Sequence, residues 1–197
     1  RIDPNDPSTG KKSRLLNNKY FRQALSIAIN RDPIIEAVMF GVPKPAQMAP
    51  REVSPFYHER LNKSFIEYNP EEANRLLDSI GLTKRDYEGY RTFPDGERMV
   101  WFLHYSDILI DEPVQFVTDD WRRVGIRAVS KERSNSLFNV DVHSLNNDFT
   151  IWQGLESYLP LIGPADYVPV RISSFSAIAY AKWYIWGGLH GDPKATQ

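Results

Sequence analysis

The sequence predicts an α/β fold: a three-layer lobe built on a mostly parallel sheet. Three observations predict it. An apolar run over residues 99–103 is typical of a strand that is covered on both faces. A helical stripe follows and ends at Gly125, and a second apolar stretch covers 126–129. A strand, a helix and a strand in this order form a βαβ unit, whose strands are parallel and whose crossover is nearly always right-handed.

Two helices are predicted before the sheet, over about residues 18–40. The first has one apolar face, formed by Phe21, Ala24, Leu25 and Ala28. Asp32 is able to cap the second helix, with Pro33 at its first position. Gly41 supplies a left-handed exit from that helix.

Two stretches predict irregular structure. Residues 1–14 are polar and contain two prolines and a glycine, so we expect a flexible tail or linker. Residues 41–68 contain four prolines, which exclude a long helix and predict an ordered loop. Aromatic side chains are expected to pin this loop, namely Phe56, Tyr57, Phe65 and Tyr68.

A further helix is predicted after residue 68. Asn69 is its expected cap, with Pro70 at the first helical position and Glu72 at the third, as in a capping box. Residues 82–97 then predict a surface excursion with a hairpin that turns at 94–96.

The remaining elements complete one lobe. A weaker helical pattern near residues 134–142 leads to a third predicted strand at 148–152. Residues 176–186 predict a final helix that is rich in aromatic side chains. The sequence therefore predicts a single α/β lobe over residues 15–197.

Composition narrows the classes of function. The chain has 197 residues, a net charge of -1 and 42% hydrophobic residues, which is ordinary for a globular domain. This charge gives no reason to expect binding to nucleic acid. There is no cysteine, which excludes disulfides, thiolate metal sites and a cysteine nucleophile.

Motifs for enzyme chemistry are absent from the sequence. The histidines are not spaced as metal ligands, and we expect structural or surface roles for His58, His104, His143 and His190. Neither a Gly-x-Ser-x-Gly elbow nor a phosphate-binding loop occurs. Asp107 and Asp111 could form a carboxylate pair, although helix caps are the favoured interpretation. We therefore expect no enzyme and no metal site.

Several stretches resemble the family 5 extracellular solute-binding proteins, the peptide, dipeptide, nickel and oligosaccharide receptors of bacterial ABC importers. The stretches agree with that family in order and spacing, and the resemblance covers roughly residues 15–190. They are 21–31 (Phe-Arg-Gln-Ala-Leu-Ser-Ile-Ala-Ile-Asn-Arg), 41–46, 53–57, 68–78 and 95–98.

The resemblance implies a fold, a mechanism and partners. Members are longer chains that fold as two lobes of the type II periplasmic-binding-protein class around a cleft. This chain would then be a fragment, most of the C-terminal lobe, and the missing N-terminal lobe would be one of its partners. The resemblance also implies reversible capture of a peptide or oligosaccharide by lobe closure, docking on the membrane permease, and no cofactor. The whole protein would be periplasmic or extracellular, with a possible lipid anchor.

The candidate ligand contacts are Trp152, Gln153, Gly154, Tyr158 and His104. In open α/β sheets, ligands bind beyond the carboxyl ends of the strands, where Trp152 and His104 are predicted to lie. In the resembling family the end of the third strand, often Trp-Gly, faces the cleft. Here Gln153 separates Trp152 from Gly154, and Tyr158 follows on the same loop. A role for Trp152 in the lobe core is the alternative.

Two other functions stay open at this point. The same fold occurs as the ligand-sensing domain of bacterial transcriptional regulators. A hydrolase would need an acid, a base or a nucleophile, and these cannot be assembled from the motifs in the sequence.

Overall fold

The computed structural model of the chain describes residues 10–108, 112–152, 160–174 and 177–186. The α-helices within them are α1 (Gly10–Asn17), α2 (Lys19–Ile27), α3 (Arg31–Met39), α4 (Glu59–Lys63), α5 (Pro70–Ser79), α6 (Glu112–Arg123), α7 (Asn135–Ser144) and α8 (Ile178–Trp186). The strands are β1 (Trp101–Ser106), β2 (Ala128–Arg133) and β3 (Phe149–Ile151), and a short 3-10 helix covers Pro164–Asp166.

The described sheet has the strand order β2-β1-β3, and both pairings are parallel. This confirms the βαβ unit, with β1 and β2 joined through α6. Both strands extend beyond the predicted stretches, because β1 continues to Ser106 and β2 to Arg133. The second half of β2 is polar because this strand lies at the edge of the sheet and is only half-buried. An edge strand does not need a continuous apolar run.

The two faces of the sheet are covered by different helices, which confirms the three layers. Trp101, Leu103 and Tyr105 alternate along β1 and belong to the apolar core with α2, α5 and α6. His104 points to the opposite face, where it meets Asp141 of α7. Alternation along a strand explains this division, since successive side chains point to opposite sides.

The first predicted helical pair is confirmed, with differences at the second helix. The predicted apolar face of α2 is buried throughout, with Phe21 and Ala24 at 0% exposure. Helix α3 begins at Arg31, so Asp32 lies inside its first turn and is not the cap. Phe40 enters the left-handed region before Gly41 does, with a φ of 54°. None of the side chains of α3 is buried.

The predicted tail is partly wrong, because residues 10–14 form the first turns of α1. Two lysines hold this helix to distant parts of the lobe. Lys11 contacts the carboxylates of Asp95 and Glu97. Lys12 lies 2.5 Å from the Oδ2 atom of Asp148. Ion pairs between residues so far apart in the chain leave no local pattern, so the sequence did not predict α1.

The loop over residues 41–68 is ordered by polar contacts and not by its aromatic side chains. The four aromatic residues expected to pin it are at best half-buried, and Phe56 is 48% exposed. Instead, Gln47 donates its side-chain N–H to the carbonyl of Ser64 at 2.7 Å. Ser26 of α2 donates its hydroxyl to the carbonyl of Phe65 at 2.6 Å. The short helix α4 was also not expected in this loop.

The third predicted helix is confirmed as α5, and its cap is the expected one. The Asn69 side chain accepts a hydrogen bond from the Glu72 backbone N–H at 2.9 Å. The hairpin that follows is more deeply buried than predicted, since the Arg91 side chain within it is only 2% exposed. Its guanidinium donates to Asp78 at 2.5 Å and to the side-chain oxygen of Asn74 at 2.7 Å.

None of the described helices is long and apolar enough to cross a membrane.

Candidate functional site

A cavity of about 840 Å³ lies beside β3, on the side of the sheet that α7 covers. Its walls come from α7, from β3, from the end of α1, and from residues 173, 174 and 177–179. Pockets for small ligands usually measure about 300–1,000 Å³, so the cavity has a suitable size. Strand β3 is an edge strand of the described sheet.

An aromatic pair forms one wall of this cavity. Trp152 comes directly after β3, and its ring stacks on Phe138 of α7 with centroids 5.2 Å apart and planes inclined by 19°. Phe138 is 5% exposed, whereas Trp152 is only partly buried. The structure therefore places Trp152 at the carboxyl end of a strand and in the wall of a cavity. Contact between Trp152 and a ligand stays a prediction.

The rest of the wall is mostly neutral and polar. Amide and hydroxyl side chains line it, namely Asn17, Asn139, Asn147, Thr150, Ser173 and Ser174. The side-chain oxygen of Asn147 is buried without a hydrogen-bond partner in the described part of the chain. Asp148 is a charged member of the lining, and Lys12 neutralises it at 2.5 Å. The same carboxylate accepts the backbone N–H of Phe102 at 3.0 Å.

His104 lies beneath α7 and is not in the cavity wall. It is 4% exposed, and its Nδ1 atom lies 3.4 Å from the Oδ2 atom of Asp141 without forming a hydrogen bond in the described structure. Asp141 also accepts a hydrogen bond from the Nε atom of Arg133 at 3.1 Å. Burial lowers the pKa of His104 below its ordinary value of 6.5, Arg133 lowers it further, and Asp141 opposes both. This position favours a structural role for His104.

The other predicted contacts cannot be placed against the cavity. Gln153, Gly154 and Tyr158 lie outside the described residues. They stay predictions.

Of the two aspartates predicted to cap a helix, Asp107 and Asp111, only Asp107 lies within the described residues. Asp107 accepts a hydrogen bond from the backbone N–H of Asn135 at 3.0 Å, so it helps to cap α7. Asp111 lies outside the described residues. No group of three His, Asp or Glu side chains that could hold a metal ion occurs among the described residues.

Sequence reasoning missed the contribution of α7 to the site. Phe138 and Val142 are four residues apart and lie on one side of that helix, and Asn139 and His143 repeat the same spacing one residue later. All four side chains line the cavity. This pairing of an apolar and a polar stripe was visible in the sequence, but only the structure shows that it faces Trp152.

The family model of bacterial extracellular solute-binding proteins, family 5, matches residues 8–166. The chain belongs to this family. It is also 26% identical over 126 residues to a protein of Deinococcus radiodurans named as a probable ABC transporter-binding protein, covering 62% of this chain and 21% of that one. The chain thus spans about a fifth of the length of this curated relative.

Solved structures of two binding proteins have the same fold. The oligopeptide-binding protein OppA superposes with a TM-score of 0.82 at 28% identity, covering 91% of this chain and 28% of OppA. MelB of Agrobacterium fabrum, solved with stachyose, gives a TM-score of 0.70 at 19% identity, covering 83% of this chain and 25% of that one. The type II periplasmic-binding-protein lobe is therefore confirmed. The family and the fold are those of extracellular binding proteins.

Proposed function

We propose that this chain supplies one lobe of a receptor that captures a solute for an ABC importer. The family match over residues 8–166 carries the proposal. The similarity to OppA and to a probable ABC transporter-binding protein supports it and favours an importer over a transcriptional sensor. The chain spans 28% of OppA, so the second lobe of the receptor would come from polypeptide outside these 197 residues.

The proposed mechanism is reversible binding followed by closure of two lobes. A ligand that contacts both lobes stabilises the closed state in proportion to its preference for that state. The closed receptor would then dock on the membrane permease. No covalent step and no cofactor is needed, so we propose that the protein is not an enzyme. Its place would be the periplasm or the outer surface of the cell.

Trp152 is the contact that we expect to contribute most. It is partly exposed, it lies at the carboxyl end of β3, and Phe138 holds its ring in a fixed orientation. A preorganised aromatic side chain loses little conformational entropy when a ligand binds. Gln153, Gly154 and Tyr158, which follow it in the chain, are proposed as further contacts. We assign a structural role to His104, which is buried beneath α7.

The ligand is proposed to be a peptide or an oligosaccharide. Relatives of similar fold were solved with both: AppA of Bacillus subtilis with a nonapeptide, and a Thermotoga maritima protein with mannohexaose. These ligands belong to those proteins, and they define the panel to be tested on this chain.

The test is a binding screen on the full-length receptor that contains this chain, because the second lobe completes the proposed site. Thermal unfolding is followed with short peptides and with neutral oligosaccharides at increasing concentration. A ligand at about 100 times its dissociation constant stabilises the folded state by about 2.7 kcal/mol, which raises the melting temperature measurably. We expect a saturable shift with one class, reduced in Trp152→Ala. A folded receptor that binds neither class would contradict the proposal.

A further inference from the structure

We infer that the cavity beside β3 accepts a neutral oligosaccharide, with one sugar ring against Trp152, in preference to a peptide. This inference rests on the proposed function, because it names the class of solute that the same site would capture. Three properties of the cavity wall carry it: its charge, its aromatic pair and its hydrogen-bonding groups.

The first property is that the described part of the wall has no lysine or arginine and no unpaired carboxylate. The carboxylate of Asp148 is already held by Lys12 at 2.5 Å, and Lys12 itself lies 5.2 Å from the centre of the Phe102 ring. A short peptide carries an ammonium and a carboxylate group, and moving an unpaired charge out of water is strongly unfavourable. A neutral sugar has no such cost.

The second property is the aromatic wall. Trp152 stacks on Phe138 with an interplanar angle of 19°, so the buried phenyl ring supports the indole from one side. Trp152 itself is partly exposed and lines the cavity. The face of an indole carries partial negative charge and attracts the partly positive C–H groups on the flat side of a sugar ring. Neither ring must reorganise to form that contact.

The third property is the set of neutral polar groups around the aromatic pair. Three exposed side chains line the cavity: Thr150, Ser173 and, on α7, Asn139. Hydroxyl and amide groups both donate and accept hydrogen bonds, as sugar hydroxyls do. Asn139 already donates its side-chain N–H to the carbonyl of Asn135 at 2.8 Å, so its oxygen is oriented as an acceptor.

The experiment compares four neutral hexasaccharides of different sugar and linkage with uncharged-side-chain tetrapeptides and with an oligogalacturonate. The sugars are maltohexaose, cellohexaose, mannohexaose and xylohexaose. Binding to the full-length receptor that contains this chain is measured by saturation-transfer NMR and by titration of tryptophan fluorescence. Trp152→Ala removes the stacking surface. Thr150→Val removes one exposed hydroxyl and keeps the branched side chain that suits a strand. Trp183→Ala, on α8 and outside the cavity wall, is the matched control.

We expect at least one neutral hexasaccharide to bind, with an affinity about tenfold or more above those of the peptides and the oligogalacturonate. Trp152→Ala should weaken that binding by about tenfold or more, since one aromatic contact accounts for an effect of this size. Thr150→Val should weaken it by a smaller factor, and Trp183→Ala should leave it unchanged.

Two other outcomes are distinguishable. Preferential binding of the peptides, with the same dependence on Trp152, would overturn the inference and leave the proposed function standing. A folded receptor that binds none of the sugars and none of the peptides would overturn both. Circular dichroism of each variant shows that it is folded, and Thr150→Val provides the answer if Trp152→Ala does not fold.

Discussion

The two faces of the sheet differ in what they are made of and in how they are held. On the face toward α2, α5 and α6, aromatic rings meet edge to face or tilted, and Trp101 lies 5.2 Å from Phe21 and 5.4 Å from Phe149. On the face toward α7, a histidine, a carboxylate and a guanidinium meet beneath the helix. We refer to these as the apolar face and the polar face.

The difference assigns separate tasks to the two faces. The apolar face excludes water over a large area, and burial of this kind supplies most of the stability of a domain. The polar face contains the cavity, the aromatic wall and the polar groups that a solute would meet. We therefore expect the lobe to tolerate changes at the cavity wall better than changes on the apolar face.

The largest effect is expected at the centre of the apolar face. Trp101 is fully buried, and Trp101→Ala should lower the free energy of unfolding by about 3–5 kcal/mol. This is a large share of the roughly 5–15 kcal/mol of a typical domain. Urea denaturation measures it. Trp152→Ala is the matched change on the polar face and should cost clearly less, since Trp152 is only partly buried. Equal losses would remove the distinction between the faces.

A smaller loss in the free energy of unfolding is expected from a change beneath α7. Asp141 is 7% exposed, and its carboxylate accepts a hydrogen bond from Arg133 at 3.1 Å. Asp141→Ala should cost about 1–3 kcal/mol, because a charge-assisted hydrogen bond is lost and Arg133 keeps its charge without this partner. Asp119→Ala is the control, as its contact with Arg122 is on the exposed side of α6. If both variants had the same midpoint in urea, the buried cluster would contribute nothing measurable.

Low pH should lower the stability of the fold through His104, on the polar face. Its pKa is lowered in the folded state, chiefly by burial, from an ordinary value of 6.5. The unfolded chain therefore binds this proton more readily, and stability that is present above pH 6.5 is lost as the pH falls below that value. His104→Gln should flatten the dependence of the urea midpoint on pH between about 7.5 and 5.5. His58→Gln, at an exposed residue, is the control variant. An unaltered slope in His104→Gln would contradict this assignment.

The smallest expected effects concern the helix caps of the two layers. Asn69 caps α5 on the apolar face, where its side-chain oxygen accepts the backbone N–H of Glu72 at 2.9 Å. At the start of α7, the Ser134 hydroxyl accepts the backbone N–H of Leu137 at 3.4 Å. Asn69→Ala should cost about 1 kcal/mol, the usual value for a well-formed cap. Ser134→Ala should cost less, because the longer hydrogen bond is weaker. Chemical denaturation of the pair checks the order, and the reverse order would count against it.

The apolar face was the part that could be predicted from the sequence. The spacing of Phe21, Ala24 and Leu25 predicted α2, and the residue types around Asn69 predicted the start of α5. These signals are local, since they depend on the period of a helix or on the chemistry of one turn. The apolar run that begins β1 was equally direct.

The polar face could not be predicted in the same way, because its contacts join residues far apart in the chain. His104 meets Asp141 across 37 positions, and Lys12 meets Asp148 across 136. Nothing in the neighbourhood of His104 indicates that a carboxylate on α7 will cover it. Trp152 was predicted as a candidate from its place after a strand, but its stacking partner Phe138 belongs to a helix whose pattern was weak.

The most direct test of the account is a map of where a bound solute acts on the chain. Backbone amide NMR shifts are recorded with and without the solute that gives the strongest binding in the panel. The account predicts changes concentrated in α7, β3 and residues 173–174, with α2 and α5 unaffected. Changes centred on α2 and α5, with none in α7 or β3, would contradict the division between an apolar face that builds the lobe and a polar face that binds the solute.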